Sequence, residues 1–261
     1  MKKSQNLFKY LKKVEYPGRG IVIGISPEGD KAMVAYWIMG RSENSRNRVF
    51  EKTDDGIRTV AADPAKILDP HLIIYNAVKT VWGATVVTNG DQTDTIADYI
   101  TNDLYPGFGF DAALSTRTFE DDAPNYTPRI SGIVGAGGTG AYRLNIIKTD
   151  KGDPSSVERH TFDYPQPLAG EGHFISTYRA DQKKKSALES FSGSPKVVEI
   201  PTGDPQELAG KIWKSLNKEN RVSLFVRAID LSNGTCEDVV INKYSKVRAE
   251  GSEPVDTEIL L

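Results

Sequence analysis

Residues 20–39 read GIVIGISPEGDKAMVAYWIM, and this stretch decides the fold. Gly20 to Ile25 is a short β-rich run and Lys31 to Met39 a longer one. Between them stands Ser26-Pro27-Glu28-Gly29-Asp30, a cluster of turn formers. Two β-rich runs joined by so short a turn predict an antiparallel hairpin.

Working outward, the same grammar repeats. Val49 to Val60 reads as a strand pair around Asp54-Asp55-Gly56. Ala84 to Thr88 is a strand, and Asn89-Gly90 after it is a turn signal. Arg129 to Val134 and Tyr142 to Lys148 flank the glycine-rich stretch Gly135 to Gly140. Phe174 to Tyr178 and Val197 to Ile200 are further strands. Val222 to Asp230 and Val239 to Lys243 are joined across Asn233-Gly234.

Helical patterns are fewer. Residues 1–15 read as a short helix or a frayed end. Gln92 to Leu104 places Ile96, Ala97 and Ile100 on one face, and Phe110 to Phe119 predicts a second central helix. Asp204 to Leu216 begins with an N-cap Asp204 followed by Pro205. Residues 41–48 read as a polar loop and Lys151 to Lys196 as the loosest region. Antiparallel strand pairs with a few helices predict an α+β fold rather than βαβ alternation. No composition shift or repeat divides residues 1–261, so a single domain is expected, with an acidic stretch at 250–261.

Composition narrows the function. The 261 residues carry a formal net charge of -2, with 38% hydrophobic and 26% charged residues. That balance gives no footprint for nucleic acid or an anionic membrane. One cysteine, Cys236, excludes an internal disulfide framework and a cysteine zinc site. His71, His160 and His173 have no metal-ligand spacing, so no metal is expected; His173, among glycines at a strand start, is a site candidate. The basic first residues lack an apolar h-region, and no run approaches the roughly 20 apolar residues of a membrane helix. A cytoplasmic location is the expectation.

The polar stretches at the strand ends carry the chemistry. Arg19, Arg41, Arg46, Arg48 and Arg129 are guanidiniums suited to gripping phosphate or carboxylate. Tyr75-Asn76, Asn89 to Asp94 and the triplet Glu120-Asp121-Asp122 add a phenol, amides and carboxylates. Such an inventory binds an anionic, hydrogen-bond-rich small molecule and moves protons. The Gly135 to Gly140 stretch lacks a Gly-Lys-Ser/Thr ending and precedes a strand, so it reads as a hairpin, with a ligand cradle as the alternative. Lys183-Lys184-Lys185 reads as a solvated loop.

These stretches together resemble the archaeal-type IMP cyclohydrolase family. The matching segments are Tyr16-Pro17-Gly18-Arg19-Gly20, Gly40-Arg41-Ser42 with Asn47-Arg48, Tyr75-Asn76, Thr88 to Ile96, and Glu120 to Ile130. The sharpest are Asn89-Gly90-Asp91-Gln92-Thr93-Asp94-Thr95-Ile96 and Thr127-Pro128-Arg129-Ile130. The chain departs from the family in its residues before Tyr16, in Pro17 and in its long segment 150–196.

The resemblance implies a four-layer αββα sandwich of two mostly antiparallel sheets, like N-terminal-nucleophile hydrolases but without their self-processing nucleophile. It also implies ring closure of 5-formamidoimidazole-4-carboxamide ribotide to IMP, with loss of water and no cofactor. On that reading Tyr75, Glu120 and Arg41 are catalytic. Tyr75 serves as proton donor or oxyanion partner and Glu120 as acid/base. Arg19, Asn47, Arg48, Asn76, Asn89, Gly90, Asp91 and Arg129 bind substrate, with Arg129 expected to pair with Glu120 or Asp122. The expected partner is the purine ribotide, with neither nucleic acid nor membrane; a homo-oligomer is left open. Two alternatives stay open as well: an N-terminal-nucleophile hydrolase and a non-catalytic ribotide-binding protein.

Overall fold

The computed structural model describes residues 4–67, 70, 73–101, 105–135, 139–179 and 188–246. His71, Lys183 to Lys185, residues 136–138 of the glycine-rich stretch and the acidic stretch 250–261 lie outside them.

The expected hairpin is β1 (Gly20–Ile25) and β2 (Lys31–Met39), in antiparallel register from Gly20 opposite Trp37 to Ile25 opposite Ala32. Its turn is closed by the Ser26 hydroxyl, which donates to Asp30 Oδ1 at 2.7 Å. Side chains alternate across a strand. In β2, Val34, Tyr36 and Ile38 face one cluster while Met33, Ala35, Trp37 and Met39 face another. Both faces are therefore covered, which explains why β1 and β2 beyond Lys31 are apolar throughout.

The hairpin is the middle of a six-stranded sheet. Its outer members are β10 (Glu171–Ser176), β11 (Lys196–Glu199), β12 (Arg221–Asp230) and β13 (Cys236–Asn242), in the order β11-β10-β1-β2-β12-β13. The second sheet is a seven-stranded meander in sequence order. It comprises β3 (Val49–Lys52), β4 (Gly56–Val60), β5 (Asn76–Val81), β6 (Ala84–Thr88), β7 (Arg129–Val134), β8 (Tyr142–Asp150) and β9 (Asp153–Tyr164). Every pair of neighbouring strands is antiparallel.

Three apolar clusters define four layers. Ile21, Ile23, Tyr36, Ile130, Leu144 and Phe225 fill the space between the sheets. Leu208 and Ile212 of α5 (Pro205–Ser215), with Leu7 and Leu11 of α1 (Leu7–Leu11), cover the outer face of the first sheet. Ile96, Ala97 and Ile100 of α3 (Gln92–Thr101), with Phe110, Ala113 and Leu114 of α4 (Pro106–Ser115), cover the second. The molecule is thus an α+β sandwich, helices outside and two antiparallel sheets inside.

Several elements differ from the sequence reading. Residues 153–164 form a twelve-residue strand inside the stretch read as loosest. It is an edge strand, so much of it faces solvent and its sequence stays polar. Residues 43–46 form one helical turn, α2 (Glu43–Arg46), where a loop is expected. The helix α4 starts at Pro106 rather than Phe110 because proline suits a first helical position. No helix among the described residues is long and apolar enough to cross a membrane.

Candidate active site

A cavity of about 440 Å³ opens where the start of β1, the chain after β2 and the segment before β7 converge. Arg19 enters it because of its neighbour. Gly18 has φ +74°, and a Cβ there would stand 2.1 Å from Thr177 Oγ1. Only glycine tolerates both the conformation and the space. The Arg19 backbone N–H donates to Thr177 Oγ1 at 3.2 Å, and Thr177 N–H returns a bond to Arg19 O at 2.9 Å.

So anchored, Arg19 Nη2 donates to both Glu120 oxygens, at 2.8 and 3.0 Å. The two side chains are only 9% and 8% exposed. Burial alone would lower the Arg19 pKa; the Glu120 carboxylate and the phenols of Tyr178, Tyr75 and Tyr36 outweigh it, and the guanidinium ends well above its usual value. Behind Glu120 stands Asn89. Its Nδ2 donates to Pro128 O at 2.9 Å and to Glu120 Oε1 at 3.4 Å, while its Oδ1 accepts from Ile130 N at 2.8 Å and Gln92 Nε2 at 3.1 Å. Asn89 is saturated by protein and holds the carboxylate in place.

Arg41 and Arg48 flank α2, whose capping box closes on itself: Ser42 Oγ accepts from Ser45 N at 3.1 Å, and Ser45 Oγ accepts from Ser42 N at 3.0 Å. That tight turn brings both arginines onto one cavity wall. Arg48 is buried, with Nε donating to Ser45 O at 3.0 Å. Arg41 is exposed, its guanidinium 4.8 Å from the Tyr16 ring centroid. Among the described residues neither has a carboxylate partner. Arg46, by contrast, is spent on Gly40 O at 3.0 Å and Asn220 Oδ1 at 3.2 Å.

Tyr75 is buried and does not line the cavity. Its hydroxyl shares a 2.8 Å hydrogen bond with Tyr36. Burial raises the Tyr75 pKa against the opposing fields of Arg48 and Arg19, both of which line the cavity. Tyr36 is raised well above its usual value, first by burial and then by Tyr75. Both phenols therefore keep their protons at neutral pH.

The remaining predicted residues lie elsewhere. Arg129 Nη1 donates to Asp91 Oδ1 at 2.6 Å and to Gln92 Oε1 at 2.7 Å, so it pairs with neither Glu120 nor Asp122. Arg117 takes the other Asp91 oxygen. Gly90 makes room for this arrangement, since a Cβ there would lie 2.5 Å from Arg129 Nη1. Asn76 donates to Asp94 at 2.9 Å alongside Lys79 at 3.1 Å. Asn47 is bonded reciprocally to Asp63, at 2.8 and 2.7 Å, on a separate cavity of about 380 Å³.

His173 is away from the cavity, stacked 3.7 Å from Tyr164 and bonded through Nδ1 to the Tyr142 hydroxyl at 2.7 Å. The described part of the glycine-rich stretch closes the β7–β8 hairpin, with Gly135 N–H donating to Ala141 O at 2.9 Å, at the end of β7 remote from Arg129. The strands on either side of that stretch, β7 and β8, pair antiparallel.

Sequence reasoning missed Tyr36, Asp122 as a separate contributor, Thr127 and Tyr178. Tyr36 had a signal: it shares the inward register of β2 with Val34 and Ile38, where a phenol needs a partner. Tyr178 joins the site through a contact remote in sequence, to Thr127, whereas Asp122 and Thr127 bond each other within the segment that carries Glu120.

Fold and site together define an α+β sandwich with a buried ion pair opening on an arginine-lined, small-molecule-sized cavity. Comparison with known proteins carries this further. Residues 16–235 match the family described as IMP cyclohydrolase-like protein, and the chain belongs to that family. It is similar to the IMP cyclohydrolase of Methanococcus maripaludis, 35% identical over 179 residues, covering 68% of this chain and 82% of that protein. The IMP cyclohydrolase of Halobacterium salinarum is 31% identical over 183 residues, covering 67% and 86%. A shorter match, 33% over 119 residues, spans 46% of this chain and 58% of the IMP cyclohydrolase of Methanococcus aeolicus.

Proposed function

We propose that this protein is an IMP cyclohydrolase, closing the formamido ribotide to IMP with release of water. The observation that carries the reading is the buried Arg19–Glu120 pair facing a cavity in which Arg41 and Arg48 lack carboxylate partners among the described residues. The whole chain acts as one catalytic domain, without metal or organic cofactor.

Arg41 and Arg48 bind the ribotide phosphate, where charge-assisted, bidentate contacts are strongest. A carboxamide nitrogen is a weak nucleophile, so holding it against the formyl carbon is the first contribution. Glu120 takes one carboxamide proton as the nitrogen–carbon bond forms. The former formyl oxygen takes that proton from Glu120 and becomes a hydroxyl, and the Tyr75 phenol, buried behind the cavity wall and kept protonated, supports the developing charge from there without touching the substrate. That hydroxyl then leaves as water, the formamido nitrogen gives up its proton, and a carbon–nitrogen double bond closes the ring. Asn89 and Arg19 keep the Glu120 oxygens in place throughout.

The test is to mix chelator-treated protein with the formamido ribotide and follow IMP by ultraviolet absorbance. Rapid formation of IMP supports the reading. Tight ribotide binding without IMP would mean a non-catalytic binding protein; no binding would sink the ligand assignment itself.

A further inference from the structure

Tyr178 lines the same cavity, and its hydroxyl is wired in one direction. Thr127 donates twice to Asp122, from its backbone N–H to Oδ1 at 2.6 Å and from its hydroxyl to Oδ2 at 2.5 Å. A threonine hydroxyl has one proton and a carboxylate has none to give. The 2.8 Å bond between Thr127 Oγ1 and Tyr178 Oη is therefore made with the tyrosine's proton.

That proton is secure. Burial, only partly opposed by Arg19 and by the Thr127 bond, pushes the Tyr178 phenol up to about 12. The ring is 3% exposed and stacks 6.1 Å from Tyr16, which itself lies under the Arg41 guanidinium. This packing fixes the position of Oη, and the Thr127 oxygen, whose own proton goes to Asp122, fixes the direction of its O–H. With its proton committed, Oη offers lone pairs and nothing else. Asn44 Oδ1, buried and without a partner among the described residues, is a second acceptor on the same cavity.

We propose that Tyr178 is a specificity residue, its oxygen accepting a hydrogen bond from a neutral donor on the nucleoside part of the ligand while Arg41 and Arg48 take the phosphate. Asp122 and Thr127 are positioning residues that fix the direction of the Tyr178 hydroxyl. The inference rests on the ribotide reading and deepens it. Two groups offer such a donor: the ribose hydroxyls and a base N–H. Either would leave the Tyr178 oxygen unsatisfied when absent, and a buried unmade bond is expensive.

Calorimetric titration with IMP, 2′,3′-dideoxy-IMP and inorganic phosphate tests it. Tyr178→Phe should weaken IMP about tenfold, equivalent to about 1.4 kcal/mol, while phosphate changes less than about twofold, within the scatter of a contact not made. Equal dideoxy-IMP affinity in both proteins assigns the donor to the ribose; a persisting loss assigns it to the base. Thr127→Val should weaken IMP in the native background but add nothing to Tyr178→Phe, because its effect passes through that hydroxyl. Undiminished IMP binding by Tyr178→Phe overturns the proposal. So does a parallel loss of phosphate, or full additivity with Thr127→Val. Wild-type protein that binds phosphate but not IMP would instead remove the ribotide reading on which the inference stands.

Discussion

Two arginine clusters sit within one fold, and sequence spacing alone would rank them alike. The inner one lines the cavity with Arg19, Arg41 and Arg48 against Glu120 and Asp122. The outer one joins Arg117 and Arg129 to Asp91. Each carries one more guanidinium than carboxylates, so the charge count does not separate them. Pairing does. In the outer cluster both guanidiniums close on the same carboxylate, which is 53% exposed. In the inner cluster Glu120 is committed to Arg19 and Asp122 to Thr127, and among the described residues Arg41 and Arg48 have no carboxylate partner. A binding site is marked by unspent donors around an empty volume, not by arginines near acids.

That contrast can be pushed until it breaks. Replacing Glu120 with Gln should lower kcat by roughly 10²–10⁴-fold, the usual worth of a general acid/base. Asp91→Asn, in the outer cluster, should leave kcat within severalfold; an equal loss at both would erase the distinction. Stability offers the next largest effect. Arg19→Met strands the Glu120 charge and should cost about 3–5 kcal/mol in urea unfolding. The matching Arg129→Met removes a pair whose acid is in solvent, worth about 0–1 kcal/mol.

Smaller again is the binding effect. Arg41→Ala should raise KM by roughly 10–100-fold, as expected for a lost hydrogen bond to a charged group. Arg117→Ala should leave KM unchanged.

The smallest effect concerns a third region. Burial lowers His173 to about 4 against Tyr164 and Tyr142. An unfolded histidine titrates near 6.5. The folded state thus prefers the neutral ring. Its contribution to stability is intact above about pH 6.5 and is lost as pH falls from there toward about 4. Urea midpoints measured at pH 7 and pH 5 should separate more for the native protein than for His173→Phe. Identical separations would remove His173 from the acid response.

The hairpin at residues 20–39 was legible because two β-rich runs and the turn cluster between them are local, and the Asp204 cap was legible for the same reason. The strand Asp153–Tyr164 was not, because an edge strand buries too little to need an apolar pattern. At the site, residue types were readable but partnerships were not. Arg19 and Glu120 stand 101 residues apart, and nothing in their spacing marks Arg19 rather than Arg129 as the partner of Glu120. Asn89 was recognisable as a polar turn residue, but not its bonds to Pro128, Ile130, Gln92 and Glu120. Tyr178 escaped notice because its importance lies in the direction of one proton.

The central claim is that the inner cluster, not the outer, receives the ribotide. A crystal structure of the protein with IMP tests this most directly. The account predicts the phosphate within hydrogen-bond distance of Arg41 and Arg48, and the purine ring beside Glu120. A phosphate seated on Arg117 and Arg129, with the cavity holding only water, would contradict it.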